Sequence, residues 1–81
     1  MEKSEILEKI KEVFAEIFKN NQLIIDELTS SKQIHEWDSL KNIVLLSTIE
    51  KKFNVKFSID DIFNTRNVGD ICNLVYAKIN A

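Results

Sequence analysis

Not one proline and only one glycine, Gly69, occur in 81 residues. Hairpins and tight turns draw on both types, Gly for positive φ and Pro for a preset bend, so this chain has little with which to build an all-β architecture. Helices are what such a sequence can make. Its 44% hydrophobic content suffices for a core and its 30% charged content keeps the surface solvated, a balance that argues against disorder. The length suits a single domain over residues 1–81, with little room for a deep active site beside its own core.

Apolar residues recur at Ile6, Leu7, Ile10, Val13, Phe14, Ile17 and Phe18, a 3–4 spacing that predicts a core-facing helix over about residues 4–19. On its polar side Glu5 stands four residues before Lys9, and Glu8 and Glu16 three before Lys11 and Lys19; such pairs contribute about 0.2–0.5 kcal/mol each. Residues 19–37, KNNQLIIDELTSSKQIHEW, lose that period. They predict a long first connection pinned to the core through Leu23, Ile24, Ile25, Leu28, Ile34 and Trp37.

A second helix is expected over residues 39–53, and its apolar residues fall into two sets. At 100° per residue Leu45, Leu46, Ile49 and Phe53 share one sector, whereas Leu40 and Val44 project to nearly the opposite side, where a core would not need them. Ser58 with Asp61 three residues on reads as a capping box opening a short helix near 59–63. Asn67 with Asp70 repeats the pattern ahead of a last helix that buries Val68, Ile71, Cys72, Val75 and Ile79. The expected fold is therefore all-α: a compact four-helix bundle with three main helices, one short helix and a long first loop.

Several function classes are excluded early. The net charge is −2, and the lysines are dispersed rather than striped along one face, which makes a nucleic-acid partner a poor fit. One Cys with one His can form neither an internal disulfide nor an all-Cys/His zinc site. No run approaches the ~20 apolar residues of a membrane span. The opening MEKSEILEKIKEVF interleaves charge with apolar residues where a signal peptide has a continuous apolar stretch, so a reducing, cytoplasmic setting is expected.

The segment HEWDSLKNIVLL, residues 35–46, holds the chemistry. His35, Asp38 and Ser39 supply the residue types of a nucleophilic triad, but no G-x-S-x-G elbow surrounds Ser39 and the chain is too short for the sheet that such an elbow crowns. A second reading makes Asp38 or Ser39 the N-cap of the second helix, for around 1 kcal/mol. That leaves the outward Leu40 and Val44 unexplained. A third reading covers both: a serine at a helix start is exposed, and the positive end of the dipole favours a phosphate on its oxygen, with Leu40 and Val44 as a docking patch beside it.

The stretch from residue 34 to 79 resembles the carrier-protein family, which includes acyl carrier proteins and the peptidyl and D-alanyl carrier domains. The likeness rests on Asp38-Ser39-Leu40, a helix ending in Glu50-Lys51-Lys52-Phe53, the β-branched and aromatic stretch Val55 to Ile59, and Val68-Gly69-Asp70 opening the last helix. It implies that Ser39 receives 4′-phosphopantetheine from coenzyme A through a separate magnesium-dependent phosphopantetheinyl transferase. The arm's thiol would then carry an acyl or aminoacyl group as a thioester, put there by a loading enzyme and passed to downstream transferases or synthases, while the chain itself catalyses nothing. Asp38 matches the acidic residue expected to help at the transferase's metal. Leu40, with Lys41, Val44 and Ser47, matches partner-facing positions.

Two departures from the housekeeping pattern stand out. Carriers of primary fatty-acid synthesis resemble one another in a second helix lined with Asp and Glu, whereas here Lys41, Asn42, Ile43 and Val44 follow Leu40 and no carboxylate occurs before Glu50. Charge at a docking surface sets specificity and association rate, so dedicated partners are expected. Trp37 before Asp38 resembles stand-alone carriers of specialised pathways, and also reads as an anchor for the loop. The competing function is an unmodified adaptor with the carrier fold. The small outward patch predicts a monomer.

Overall fold

The computed structural model describes residues 1–19 and 24–80. Four helices follow one another: α1 (Lys3–Phe18), α2 (Ser39–Phe53), α3 (Ile59–Asn64) and α4 (Val68–Ile79). No strand occurs among the described residues, and the only strand-like pairing there is an isolated bridge between Ser30 and Asn67. The all-α expectation therefore holds, and both long helices fall within a residue of their expected bounds.

The apolar stripe of α1 packs against both α2 and α4. Ile6, Ile10, Val13 and Phe14 are sealed from solvent with Leu45, Leu46 and Ile49 of α2 and Val68, Ile71, Cys72 and Val75 of α4; Leu7, Ile17, Phe18 and Phe53 lie at the margin. Burying each such aliphatic side chain contributes about 1.5–3 kcal/mol. Of the three ion pairs expected along α1, Glu8–Lys11 is formed at 3.5 Å. Glu5 instead accepts the Glu2 amide at 3.3 Å and closes the helix start, so it is engaged as a cap.

The first loop meets the core at fewer points than its apolar content predicts. Ile25, Ile34 and Trp37 are buried, but Ile24 is 90% exposed and Leu28 80% exposed. Leu23 lies outside the described residues. What holds the loop in their place is hydrogen bonding: the α4 amides of Val68 and Gly69 donate to the loop carbonyls of Thr29 and Glu27 at 2.9 and 2.8 Å. Helix starts leave amides unpartnered, and here another segment of backbone accepts from them. Buried Thr29 completes the turn, its hydroxyl accepting from the Asp26 amide at 3.0 Å and facing the Asp26 carboxylate at 3.2 Å.

The caps of the later helices form largely as expected. Ser58 Oγ accepts the Asp61 amide and Asp61 accepts the Ser58 amide, at 3.0 and 2.8 Å. Lys78 bridges to Asp61 at 3.1 Å and ties α3 to α4. Asn67 accepts the Asp70 amide at 2.8 Å, but the Asp70 carboxylate takes the Arg66 amide rather than that of Asn67, so this box closes one residue wider than expected.

Gly69 marks the closest approach of loop and helix. A β-carbon there would lie 2.9 Å from the Glu27 carbonyl oxygen, a backbone atom already bonded to the Gly69 amide. Overpacking of this kind costs about 1–3 kcal/mol. Gly69→Ala is expected to lower unfolding free energy by that amount in urea titration, while a variant at the exposed helical position Asn73→Ala leaves it within about 0.5 kcal/mol; equal stability of Gly69→Ala and wild type would show that the Glu27 carbonyl does not crowd this position.

Candidate functional site

Ser39 is the first residue of α2, and Asp38 is its N-cap. The Asp38 Oδ1 accepts the Lys41 amide at 2.8 Å, and the Asp38 carbonyl accepts that of Asn42 at 2.8 Å. The choice between Asp38 and Ser39 as cap is thereby decided, and the Ser39 hydroxyl makes no hydrogen bond to any described residue. Ser39 is exposed. The amides of Ser39 and Leu40 likewise find no acceptor among the described residues, so the positive end of α2 remains available to an anion on the serine oxygen.

Trp37 fixes this position. Its indole is buried, stands edge-on to Phe14 with ring centroids 5.1 Å apart, and donates Nε1–H to Asn42 Oδ1 at 2.9 Å. A buried indole N–H needs such a partner, since leaving it unpaired costs about 1–3 kcal/mol. The contact joins the loop to α1 on one side and to the first turn of α2 on the other. Asn42 was not singled out by the sequence, because an asparagine five residues after a tryptophan carries no general signature.

The triad reading does not survive. His35 is exposed, the Asp38 carboxylate is engaged at the helix start, and no hydrogen bond connects His35 with Asp38 or Ser39. Beyond Ser39, Leu40 is 71% exposed, Ile43 55% and Val44 43%. Ile43 joins the two residues expected from sequence, and the i, i+3, i+4 spacing of 40, 43 and 44 could have revealed it. Lys41 and Ser47 are also exposed on this helix. Glu50, its first carboxylate after the cap, accepts the Phe57 amide at 2.7 Å, and Lys52 pairs with Glu12 at 3.4 Å.

These features belong together in a known family. A family model described as the phosphopantetheine attachment site matches residues 8–75. The chain belongs to that family. It is a carrier of the acyl carrier protein type rather than an enzyme, and the prosthetic group of the family is 4′-phosphopantetheine. The carrier is 33% identical over 73 residues to an acyl carrier protein homologue of Mycoplasma genitalium, covering 88% of this chain and 84% of the relative. Its fold matches the solution structure of a holo acyl carrier protein from Geobacter metallireducens with a TM-score of 0.86 at 28% identity, over 91% of this chain and 85% of that one. A crystal structure of the acyl carrier protein of Thermotoga maritima matches with a TM-score of 0.85 at 25% identity, over 99% and 93% of the two chains. Among the described residues no helix is long and apolar enough to cross a membrane.

The residues present fit a phosphodiester-linked arm: an exposed hydroxyl with no partner among the described residues, on a capped helix whose first two amides find no acceptor there. The carrier's own thiol is of another kind. Cys72 is buried on α4, and desolvation, helped by the nearby charge of Glu27, pushes its pKa up to about 11. Against the ordinary value of 9.0 this leaves roughly a hundredfold less thiolate near pH 8. Folded carrier without the arm is therefore expected to react with a thiol reagent about a hundredfold more slowly than the urea-unfolded chain; similar rates would show that Cys72 is open to solvent.

Proposed function

We propose that the carrier holds an acyl or aminoacyl group as a thioester on 4′-phosphopantetheine attached to Ser39, and delivers it to the enzymes of a dedicated biosynthetic pathway. The observation that carries this reading is the state of Ser39: exposed, free of hydrogen bonds to described residues, and set on a rigid helix start beside an apolar face. In the transfer step Ser39 Oγ forms a bond to the pantetheine-bearing phosphorus of coenzyme A, loses its proton, and releases adenosine 3′,5′-bisphosphate. When bound, the arm supplies a terminal thiol for thioester exchange.

The neighbouring residues take distinct roles. Asp38 Oδ1 is engaged by the cap, and its second oxygen, without a hydrogen bond from any described residue, can face the magnesium ion of a phosphopantetheinyl transferase. Leu40, Lys41, Val44 and Ser47 form the docking face, to which the structure adds Ile43. Between Asp38 and Glu50 this face carries no carboxylate, and Glu50 holds the Phe57 amide. Partners that read an acidic helix would find little here to attract them, which supports a dedicated loading enzyme. A tethered arm then raises the effective concentration of cargo at each partner it visits.

Incubation with coenzyme A, magnesium and a broad-specificity transferase is expected to add the mass of one phosphopantetheine to the wild type and none to Ser39→Ala, as read by intact-protein mass spectrometry. Modification of Ser39→Ala would place the attachment elsewhere. A folded wild type that stays unmodified by several active transferases would favour the adaptor reading, in which Leu40, Ile43 and Val44 act without an arm.

A further inference from the structure

A groove of about 730 Å³ opens beside Ser39, a size within the ~300–1,000 Å³ of small-molecule sites. One wall is the first loop, with Lys32; the other is the α3–α4 link, with Arg66; Asp38, Ser39 and Asn42 line it from α2. The walls cannot drift apart freely. Ser30 and Asn67 form a backbone bridge, and the Val68 and Gly69 amides bond to the same loop. Lys32 follows Ser30 by two residues and Arg66 immediately precedes Asn67, so the bridge sets two cationic side chains on facing walls of one groove.

Both cations lack a carboxylate partner among the described residues. Three lysines, Lys11, Lys52 and Lys78, have carboxylate partners among the described residues, but no described carboxylate pairs with Lys32 or Arg66. Their backbones are nevertheless held, the Lys32 amide by Ser30 Oγ at 3.3 Å and that of Arg66 by Asp70 at 2.9 Å. Among the described residues Asp38 is the one carboxylate lining the groove, and one of its oxygens accepts the Lys41 amide. Among the described lining residues the groove thus sets two cations against one carboxylate.

We propose that Lys32 and Arg66 bind the phosphodiester of the arm, so that the root of the arm lies in this groove and leaves Leu40, Ile43 and Val44 uncovered for partners. This rests on the attachment to Ser39 argued above. A guanidinium presents paired donors to phosphate oxygens and an ammonium adds a point charge, while the open amides at the α2 start share the same anion. Each exposed pair shifts an equilibrium by only about two- to fivefold, so neutralising both is required for a clear effect.

The test uses the arm-bearing protein, its loading checked by mass. Arm attachment is expected to move the side-chain resonances of Arg66 Nε and Lys32 Nζ, and folding to displace the ³¹P resonance from that of the same phosphodiester in the urea-unfolded arm-bearing chain. The double variant Lys32→Gln/Arg66→Gln should lose most of that displacement, whereas Lys51→Gln, on α2 and outside the groove, should keep it. Raising salt from 0.1 to 1 M, which shortens the screening length from about 10 to about 3 Å, should shrink the displacement in the wild type. Loaded protein with unmoved Arg66 and Lys32 resonances, or a double variant whose ³¹P resonance matches the wild type, would overturn this proposal alone. Absence of any mass gain would overturn the attachment reading and this one with it.

Discussion

The Trp37 indole is the contact on which the placement of everything near Ser39 depends. One edge of it packs against Phe14 in α1 and its N–H reaches Asn42 in α2, so a single side chain joins the loop to two helices. The next residue caps α2 and the one after it is Ser39. A serine in a free loop would present its hydroxyl in many directions, each with an entropy cost to a partner that must find it. Here the burial of one large aromatic residue, whose polar atom is satisfied, removes that freedom two residues before the serine.

The starts of α2 and α4 show how the same local chemistry can serve two ends. Both have an Asn or Asp cap accepting the third helical amide. At α4 the two remaining amides, those of Val68 and Gly69, are taken by loop carbonyls, and the result is a structural clamp. At α2 the corresponding amides, Ser39 and Leu40, take no acceptor among the described residues. A helix start whose amides find no acceptor is a place where an anion can be held, and Ser39 stands there with its hydroxyl unbonded to any described residue. The apolar residues follow the same division: Leu45, Leu46 and Ile49 are consumed by the core, and Leu40, Ile43 and Val44 are left outside it.

Much of this was legible in the sequence because it is local. The period of α1, the bounds of α2, the box at Ser58, the cap at Asn67, and the outward Leu40 and Val44 all follow from spacings of three or four residues. The loop was harder to read for a physical reason. Ile24 and Leu28 look like anchors by composition, yet the loop is fastened by Thr29 and Glu27 carbonyls that bond to amides some forty positions away, and backbone groups leave no mark in the side-chain pattern. The close approach at Gly69 is of the same kind, since the Glu27 carbonyl it meets lies in a distant part of the chain. Nothing in the spacing of the sequence relates Lys32 to Arg66; the Ser30–Asn67 bridge is what makes them neighbours of one groove.

The claim that Trp37 fixes the Ser39 region can be tested by residue-resolved amide exchange in Trp37→Phe beside the wild type. Phenylalanine keeps an aromatic ring against Phe14 and removes only the indole N–H to Asn42. Loss of about 1.4 kcal/mol locally corresponds to tenfold faster exchange. The account predicts an acceleration of that order at Lys41 and Asn42, with α1 and the centre of α4 nearly unchanged. Unaltered exchange at Lys41 and Asn42, or equal acceleration throughout the chain, would contradict it.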